Sequence, residues 1–100
     1  MQFKENSNRR VYNIDFDGIL TIDRHFNLDA EPNYYNIAKV RELYQEGNII
    51  IIHSARAWEF APETVGWLIK HKIPFHGIYL QKGGSDYYVD DKAVSGFNQL

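Results

Sequence analysis

The sequence predicts an α/β fold, specifically a three-layer α/β/α sandwich built on a mainly parallel sheet. Short apolar runs alternate with segments of helical spacing along the chain, which is the pattern of strand–helix–strand units. The run at 49–52 is four consecutive isoleucines, and the absence of polar alternation is typical of a strand buried on both faces. The length of 100 residues suits one domain with a single core. We expect that domain to cover 11–100.

The individual elements follow in chain order. Residues 1–10 are polar and are expected to form a flexible leader. Segment 21–32 is rich in polar residues and predicts a loop or small hairpin. The predicted strands are 11–14, 48–53, one within 75–80 and 87–89.

Two helices are predicted between these strands, and a last short one near Lys92. Apolar residues recur at helical spacing over 34–46, and Gly47 ends that helix. A second helix covers about 60–72, because Pro62 suits a first turn and Pro74 marks the end.

Composition narrows the possible functions. Hydrophobic residues make up 44% and charged residues 24% of the chain, and the net charge is −2. This balance argues against a general nucleic-acid or membrane surface, although a local site for a nucleic-acid end stays open. The absence of cysteine rules out disulfides and thiolate metal sites and fits a cytoplasmic protein. We expect no signal peptide and no membrane span, since no apolar run approaches about 18 residues.

The most informative motif is Asp15-Phe16-Asp17-Gly18, which follows the first predicted strand directly. Open α/β sheets bind ligands at the carboxyl ends of their strands, so these carboxylates are placed to form a site. Asp-Gly is also a common turn dipeptide. A second acidic pair, Asp90-Asp91, follows another apolar run and favours the functional interpretation.

Four polar features therefore follow strands and converge on one edge of a parallel sheet. They are Asp15 with Asp17, Ser54 with Arg56, Lys82, and Asp90 with Asp91.

Together these features can transfer a phosphoryl group. Asp15 can act as the nucleophile, and Asp17 can donate and accept a proton. Ser54 can hydrogen-bond a phosphoryl oxygen, and Lys82 can neutralise negative charge. The second acidic pair supplies oxygen ligands suited to Mg²⁺.

Taken singly, each of these features also has a purely structural explanation. Ser54 can be a helix N-cap, Lys82 can be a solvated lysine in a Lys-Gly-Gly turn, and Asp90-Asp91 can cap the last helix.

The four features in this order resemble the haloacid dehalogenase superfamily of phosphohydrolases. The matching segments are 15–18, 51–56, Lys82 and 88–91. The resemblance implies a Rossmann-like fold, Asp15 as nucleophile and Asp17 as general acid/base. It also implies Mg²⁺ held by Asp15, by the backbone carbonyl of Asp17, and by Asp90 with or without Asp91.

The chain departs from the family pattern in two places. Ile19 stands where members often have Thr or Val, and residues 19–50 leave no room for the large cap domain that many relatives insert. The resemblance is therefore to members without a cap.

The predicted function is a Mg²⁺-dependent phosphomonoesterase that works through an aspartyl-phosphate, with a sugar phosphate or a similar small phosphorylated metabolite as substrate. A nucleotide or nucleic-acid 3′-phosphatase is an alternative. A signalling receiver and a non-catalytic domain that binds a phosphorylated ligand are others. The order of the motifs disfavours a receiver, because its phospho-acceptor Asp would follow the middle strand, which here ends in His53-Ser54.

Further residues are expected to contact the substrate or a second subunit. The predicted substrate-binding residues are Gly18, Arg24, His25, Ala55, Arg56 and Trp58. Several aromatic side chains exceed what a small core readily hides, namely Tyr34, Tyr35, Trp58, Phe60 and Trp67. We therefore expect a homo-oligomer in which a neighbour walls the site near 24–33 or Trp58.

Overall fold

A computed structural model describes residues 8–81 as strands and helices in alternation. The strands are β1 (Val11–Asp15), β2 (Ile49–His53) and β3 (Gly77–Tyr79), and the helices are α1 (Tyr34–Gln45) and α2 (Ala61–Lys70). The sheet order is β1-β2-β3, and both strand pairs are parallel. The α/β class and the parallel sheet are thus confirmed for this part of the chain. The fourth strand predicted at 87–89 and the last helix near Lys92 lie outside the described residues.

Local sequence signals account for the helix ends. The Asn33 side chain accepts a 3.1 Å hydrogen bond from the backbone N–H of Asn36 and caps α1. Gly47 follows that helix with a φ of +92°, a conformation that glycine adopts without strain. Pro62 lies in the first turn of α2. The predicted helices at 34–46 and 60–72 are therefore both present, with slightly shorter bounds.

Both helices pack on the same face of the sheet. Crossovers between neighbouring parallel strands are right-handed, so two successive crossovers in the order β1-β2-β3 place their helices on one side. The core combines residues of the sheet, both helices and the turn after β1, namely Phe16, Leu20, Ile37, Val40, Ile50, Ile52, Trp67, Leu68 and Ile73. Residues 8–81 thus form two layers. The third layer predicted from the sequence is not part of them.

Burial along β2 alternates in spite of its uniform sequence. Ile50 and Ile52 are fully buried, whereas Ile49 and Ile51 are half-buried within the described residues. The sequence predicted burial of this strand on both faces. Within the described residues, only one face of the strand is fully buried.

The prediction that Trp67 is one of the aromatic side chains that the core cannot hide is wrong. Its side chain is only 5% exposed, and its indole N–H donates a 3.0 Å hydrogen bond to the carbonyl of Ala30. A tryptophan whose polar atom is paired can be buried in a core. The ring lies 5.0 Å from Phe16, so it supports the turn after β1.

The chain is already tied to the sheet before β1 begins. The backbone N–H of Ile49 donates a 2.9 Å hydrogen bond to the carbonyl of Arg10. Residues 1–7, the greater part of the predicted leader, lie outside the described residues. Between residues 8 and 81, neither helix has the length and apolar character needed to cross a membrane.

Candidate functional site

The strands end level with one another at the carboxyl edge of the sheet. Asp15 of β1 pairs with His53 of β2, which pairs with Tyr79 of β3. A cavity of about 460 Å³ opens at this edge, as expected for a parallel α/β sheet. Its described lining residues are Asp15, Phe16, Asp17, Arg24, Phe26, His53, Ser54, Ala55 and Arg56.

A wide turn at Phe16–Leu20 places both carboxylates of the first motif on the cavity. Phe16 is fully buried and packs against Trp67, so it anchors the turn in the core. Asp17 (φ −75°, ψ 126°) and Gly18 (φ 89°, ψ −11°) have the central angles of a type II turn. The residues on either side of the buried ring, Asp15 and Asp17, therefore face the cavity.

Gly18 has a conformational role in this turn. A β-carbon at its position would lie 2.9 Å from Cγ of Arg24, so the stem of Arg24 passes directly over the glycine. The Gly18 N–H donates a 3.0 Å hydrogen bond to Oγ1 of Thr21, whose hydroxyl donates to the carbonyl of Asp23 at 2.7 Å. Gly18 is not among the described residues that line the cavity, whereas Arg24, an exposed side chain, is.

Arg56 is the most heavily engaged side chain of the site. Its Nη2 and Nε donate to Oδ1 and Oδ2 of Asp17 at 2.9 and 3.3 Å. Nη1 donates to Oγ1 of Thr64 at 3.3 Å, and Nη2 also donates to the carbonyl of Asn27 at 3.1 Å. Arg56 is 2% exposed. The structure therefore gives this predicted substrate contact four protein acceptors.

Ser54 lines the cavity and follows β2 directly. Its N–H donates a 2.8 Å hydrogen bond to the carbonyl of Tyr79, and its Oγ accepts one of 3.1 Å from the N–H of Arg56. The alternative that Ser54 caps a helix is wrong, because α2 begins at Ala61. A hydroxyl that accepts one bond can still donate its hydrogen to a ligand oxygen. Ala55 follows and is exposed in the cavity lining.

His25 and Trp58 are not brought to this cavity within the described residues. His25 lies on a neighbouring cavity of about 510 Å³ that also includes Arg24. Trp58 is 71% exposed, and its backbone N–H donates to Oε1 of Gln81.

The remaining predicted residues, Lys82, Asp90 and Asp91, lie outside the described residues. The backbone N–H of Gln81 donates a 2.8 Å hydrogen bond to the carbonyl of Arg56. The described chain thus ends beside the candidate site.

Residues 8–81 supply part of a possible magnesium site. They contain no group of three or more His, Asp or Glu side chains that could hold a metal ion. Both carboxylate oxygens of Asp17 accept hydrogen bonds from Arg56, and the group of Asp17 that the family resemblance assigns to the metal is its backbone carbonyl. The carboxylate of Asp15 and this carbonyl are hard oxygen donors of the kind Mg²⁺ prefers. The donor chemistry fits magnesium, and further ligands would have to come from other residues.

The structure adds two residues to the site that the sequence did not single out. His53 lines the cavity beside Asp15, with its Nε2 3.0 Å from Oδ1 of Asn13. The sequence signal that could have identified His53 as a site residue is its position at the carboxyl end of the predicted strand. Phe26 also lines the cavity and packs 4.9 Å from Phe60, but nothing in the polar loop sequence indicates that contact.

Comparisons with known proteins support the fold. No protein-family model matches the sequence, and no curated protein does. The crystal structure of an MCSG target from Vibrio cholerae aligns with a TM-score of 0.65 and 28% identity, over 85% of this chain and 82% of that one. A chain in the structure of the Pnkp1/Rnl/Hen1 RNA repair complex aligns with a TM-score of 0.66 and 20% identity, over 87% of this chain. The aligned part is 30% of that longer chain, and at this identity it shows the fold alone.

Proposed function

We propose that the protein is a Mg²⁺-dependent phosphomonoesterase of the haloacid dehalogenase type, with Asp15 as its nucleophile. The observation that carries this proposal is the shared cavity at the carboxyl edge of the sheet, which Asp15, Asp17 and Ser54 line together. These residues come from two separate segments of the chain, and the order of motifs along the sequence resembles that family. The same resemblance leads us to propose a three-layer fold without a cap domain.

The first step transfers the phosphoryl group to the protein. A carboxylate oxygen of Asp15 forms a bond to phosphorus while the ester P–O bond breaks. The leaving oxygen takes a proton from the protonated form of Asp17 and departs as an alcohol. The Ser54 hydroxyl donates a hydrogen bond to a phosphoryl oxygen, and the exposed Arg24 balances the negative charge of the substrate.

The second step releases phosphate. Water attacks phosphorus and passes a proton to the carboxylate of Asp17, while the bond between phosphorus and the Asp15 oxygen breaks. Inorganic phosphate leaves, the carboxylate of Asp15 is regenerated, and Asp17 is protonated again. Atoms and charge balance over the cycle.

We assign magnesium to Asp15, the backbone carbonyl of Asp17, and Asp90 with or without Asp91. When bound, it would neutralise charge on the phosphoryl group and its neighbouring carboxylates. We assign Lys82 the same neutralising role from the protein side.

The cavity is large enough for a small substrate. A volume of about 460 Å³ lies in the usual range of small-molecule sites, roughly 300–1,000 Å³. We therefore propose a sugar phosphate or a similar phosphorylated metabolite.

A phosphate-release assay tests this proposal. The full chain is incubated with Mg²⁺ and a panel of sugar phosphates, nucleotides and 3′-phosphorylated oligonucleotides, and Asp15→Asn serves as the control for contaminating phosphatases. We expect release from a sugar phosphate by the wild type and none by the variant. Faster phosphate release from oligonucleotides would replace the sugar phosphate as the proposed substrate, and the proposed phosphomonoesterase reaction would stand. No release from any substrate by folded protein would overturn the proposal and favour a domain that only binds phosphorylated ligands.

A further inference from the structure

Arg56 is a buried cation whose surroundings are built around its charge. Its side chain is 1% exposed, and a buried guanidinium is costly unless its N–H groups are paired. Besides its acceptors, the guanidinium carbon lies 4.3 Å from the ring centre of Phe16 and 4.7 Å from that of Phe26. Two aromatic faces are favourable neighbours for a cation. The guanidinium is therefore held by hydrogen bonds to its N–H groups and by contacts with two aromatic rings.

The contacts of Arg56 join three separate parts of the molecule. Asp17 belongs to the turn after β1, Asn27 belongs to the loop at 21–32, and Thr64 belongs to α2. One guanidinium therefore links the turn, the loop and α2.

The bond between Arg56 and Asp17 fixes the plane of the carboxylate. Two N–H donors of one guanidinium reach the two carboxylate oxygens, and this bidentate geometry sets orientation as well as distance. The Asp17 side chain is 17% exposed, so its remaining access is on the cavity side. A proton on either oxygen has to share that oxygen with, or displace, an N–H of Arg56.

We infer that Arg56 is a positioning residue that acts through Asp17, and that it does not bind the substrate directly. This inference rests on the proposed function, because it concerns the proton transfer assigned to Asp17. Arg56 holds the Asp17 carboxylate towards the cavity and links its orientation to the loop at 21–32. Arg24, the exposed arginine of the same cavity, is left to contact the substrate.

The leaving group distinguishes this role from a structural one. A sugar alkoxide needs a proton as it departs, whereas p-nitrophenolate is a good leaving group without one. We expect Arg56→Lys, which keeps the charge and loses the planar fork, to lower kcat/KM for a sugar phosphate by about tenfold more than for p-nitrophenyl phosphate. A merely structural role would lower both values by the same factor.

A double-mutant cycle gives the sharper test. Asp17→Asn is measured alone and together with Arg56→Lys, with kcat/KM for the sugar phosphate as the readout. If Arg56 acts through Asp17, adding Arg56→Lys to Asp17→Asn has little further effect. If the two losses multiply, Arg56 acts on its own and the inference is overturned.

A matched control and a second perturbation complete the design. Thr64→Val removes one contact of the same guanidinium and leaves both bonds to Asp17, so the ratio of the two kcat/KM values should stay that of the wild type. Asp17→Glu disturbs the pair from its other side and should lower the sugar phosphate value selectively, whether or not Arg56→Lys folds. A control ratio that changes, or an Asp17→Glu loss that is equal for both substrates, contradicts the inference.

Failure of the inference is distinguishable from failure of the proposed function. Wild-type turnover that Asp15→Asn abolishes, combined with multiplying losses in the cycle, rejects only the role of Arg56. No turnover by the folded wild type rejects both.

Discussion

Replacement of Gly18 by alanine is expected to destabilise the turn that carries the two carboxylates. The φ of Gly18 is +89°, and a left-handed conformation costs a residue with a β-carbon roughly 1–2 kcal/mol. The new β-carbon would lie 2.9 Å from Cγ of Arg24. That atom belongs to a flexible side chain, so the clash is relieved when Arg24 moves. We therefore expect the free energy of unfolding to fall by about 1–2 kcal/mol.

Gly66 provides a matched control for this substitution. It lies on the exposed side of α2, and a β-carbon there would meet nothing within 4 Å. Gly66→Ala should raise the free energy of unfolding by up to about 1 kcal/mol, because alanine favours a helix interior. Urea unfolding of both variants should therefore show a difference of about 1–3 kcal/mol between their free energies of unfolding. Equal stability of the two would refute the conformational role assigned to Gly18.

Three further outcomes are expected. Chelation should stop phosphate release and added Mg²⁺ should restore it, and Asp90→Ala should raise the Mg²⁺ requirement; full activity in excess chelator would reject the metal. Light scattering at micromolar concentration should give an oligomer mass, whereas a monomer with unchanged turnover on dilution would reject the second subunit and favour a macromolecular substrate. Burial, and then the nearby charges of Lys70 and Arg41, lower the pKa of His71 below 6.5. Folding therefore favours its neutral form, and the stability that it contributes is lost as the pH falls below this value. In urea unfolding, the free energy of unfolding should fall less between about pH 7.5 and about pH 5.5 for His71→Gln than for the wild type. An equal fall in the two proteins would contradict this.

Periodicity and turn chemistry were sufficient to predict the three described strands and both α-helices. The run of isoleucines, the helical spacing at 34–46 and the glycine after it all act locally, so their meaning can be read without knowing the tertiary structure. The convergence of Asp15, Asp17 and Ser54 also followed from a general rule, since parallel strands bring their carboxyl ends together.

The partners of individual side chains could not be predicted in this way. The charge of Arg56 suggested a substrate contact, but its bonds to Asp17 span 39 positions of sequence and depend on how the turn and loop pack. The number of aromatic residues suggested that Trp67 exceeds what the core can hide. It is buried because it lies on the side of α2 that faces the sheet. The side of the sheet on which each helix packs depends on strand order, which the sequence pattern leaves open.

The most direct test of the proposed mechanism is a search for phosphate on Asp15. The wild type is mixed with Mg²⁺ and a turned-over substrate, quenched rapidly in acid, digested and analysed by mass spectrometry. We expect one phosphoryl group on the peptide that contains Asp15, and none on the same peptide of Asp15→Asn, which should also lack turnover. An Asp15→Asn protein that keeps more than about a tenth of wild-type turnover, a loss of only ~1.4 kcal/mol, would contradict the covalent mechanism.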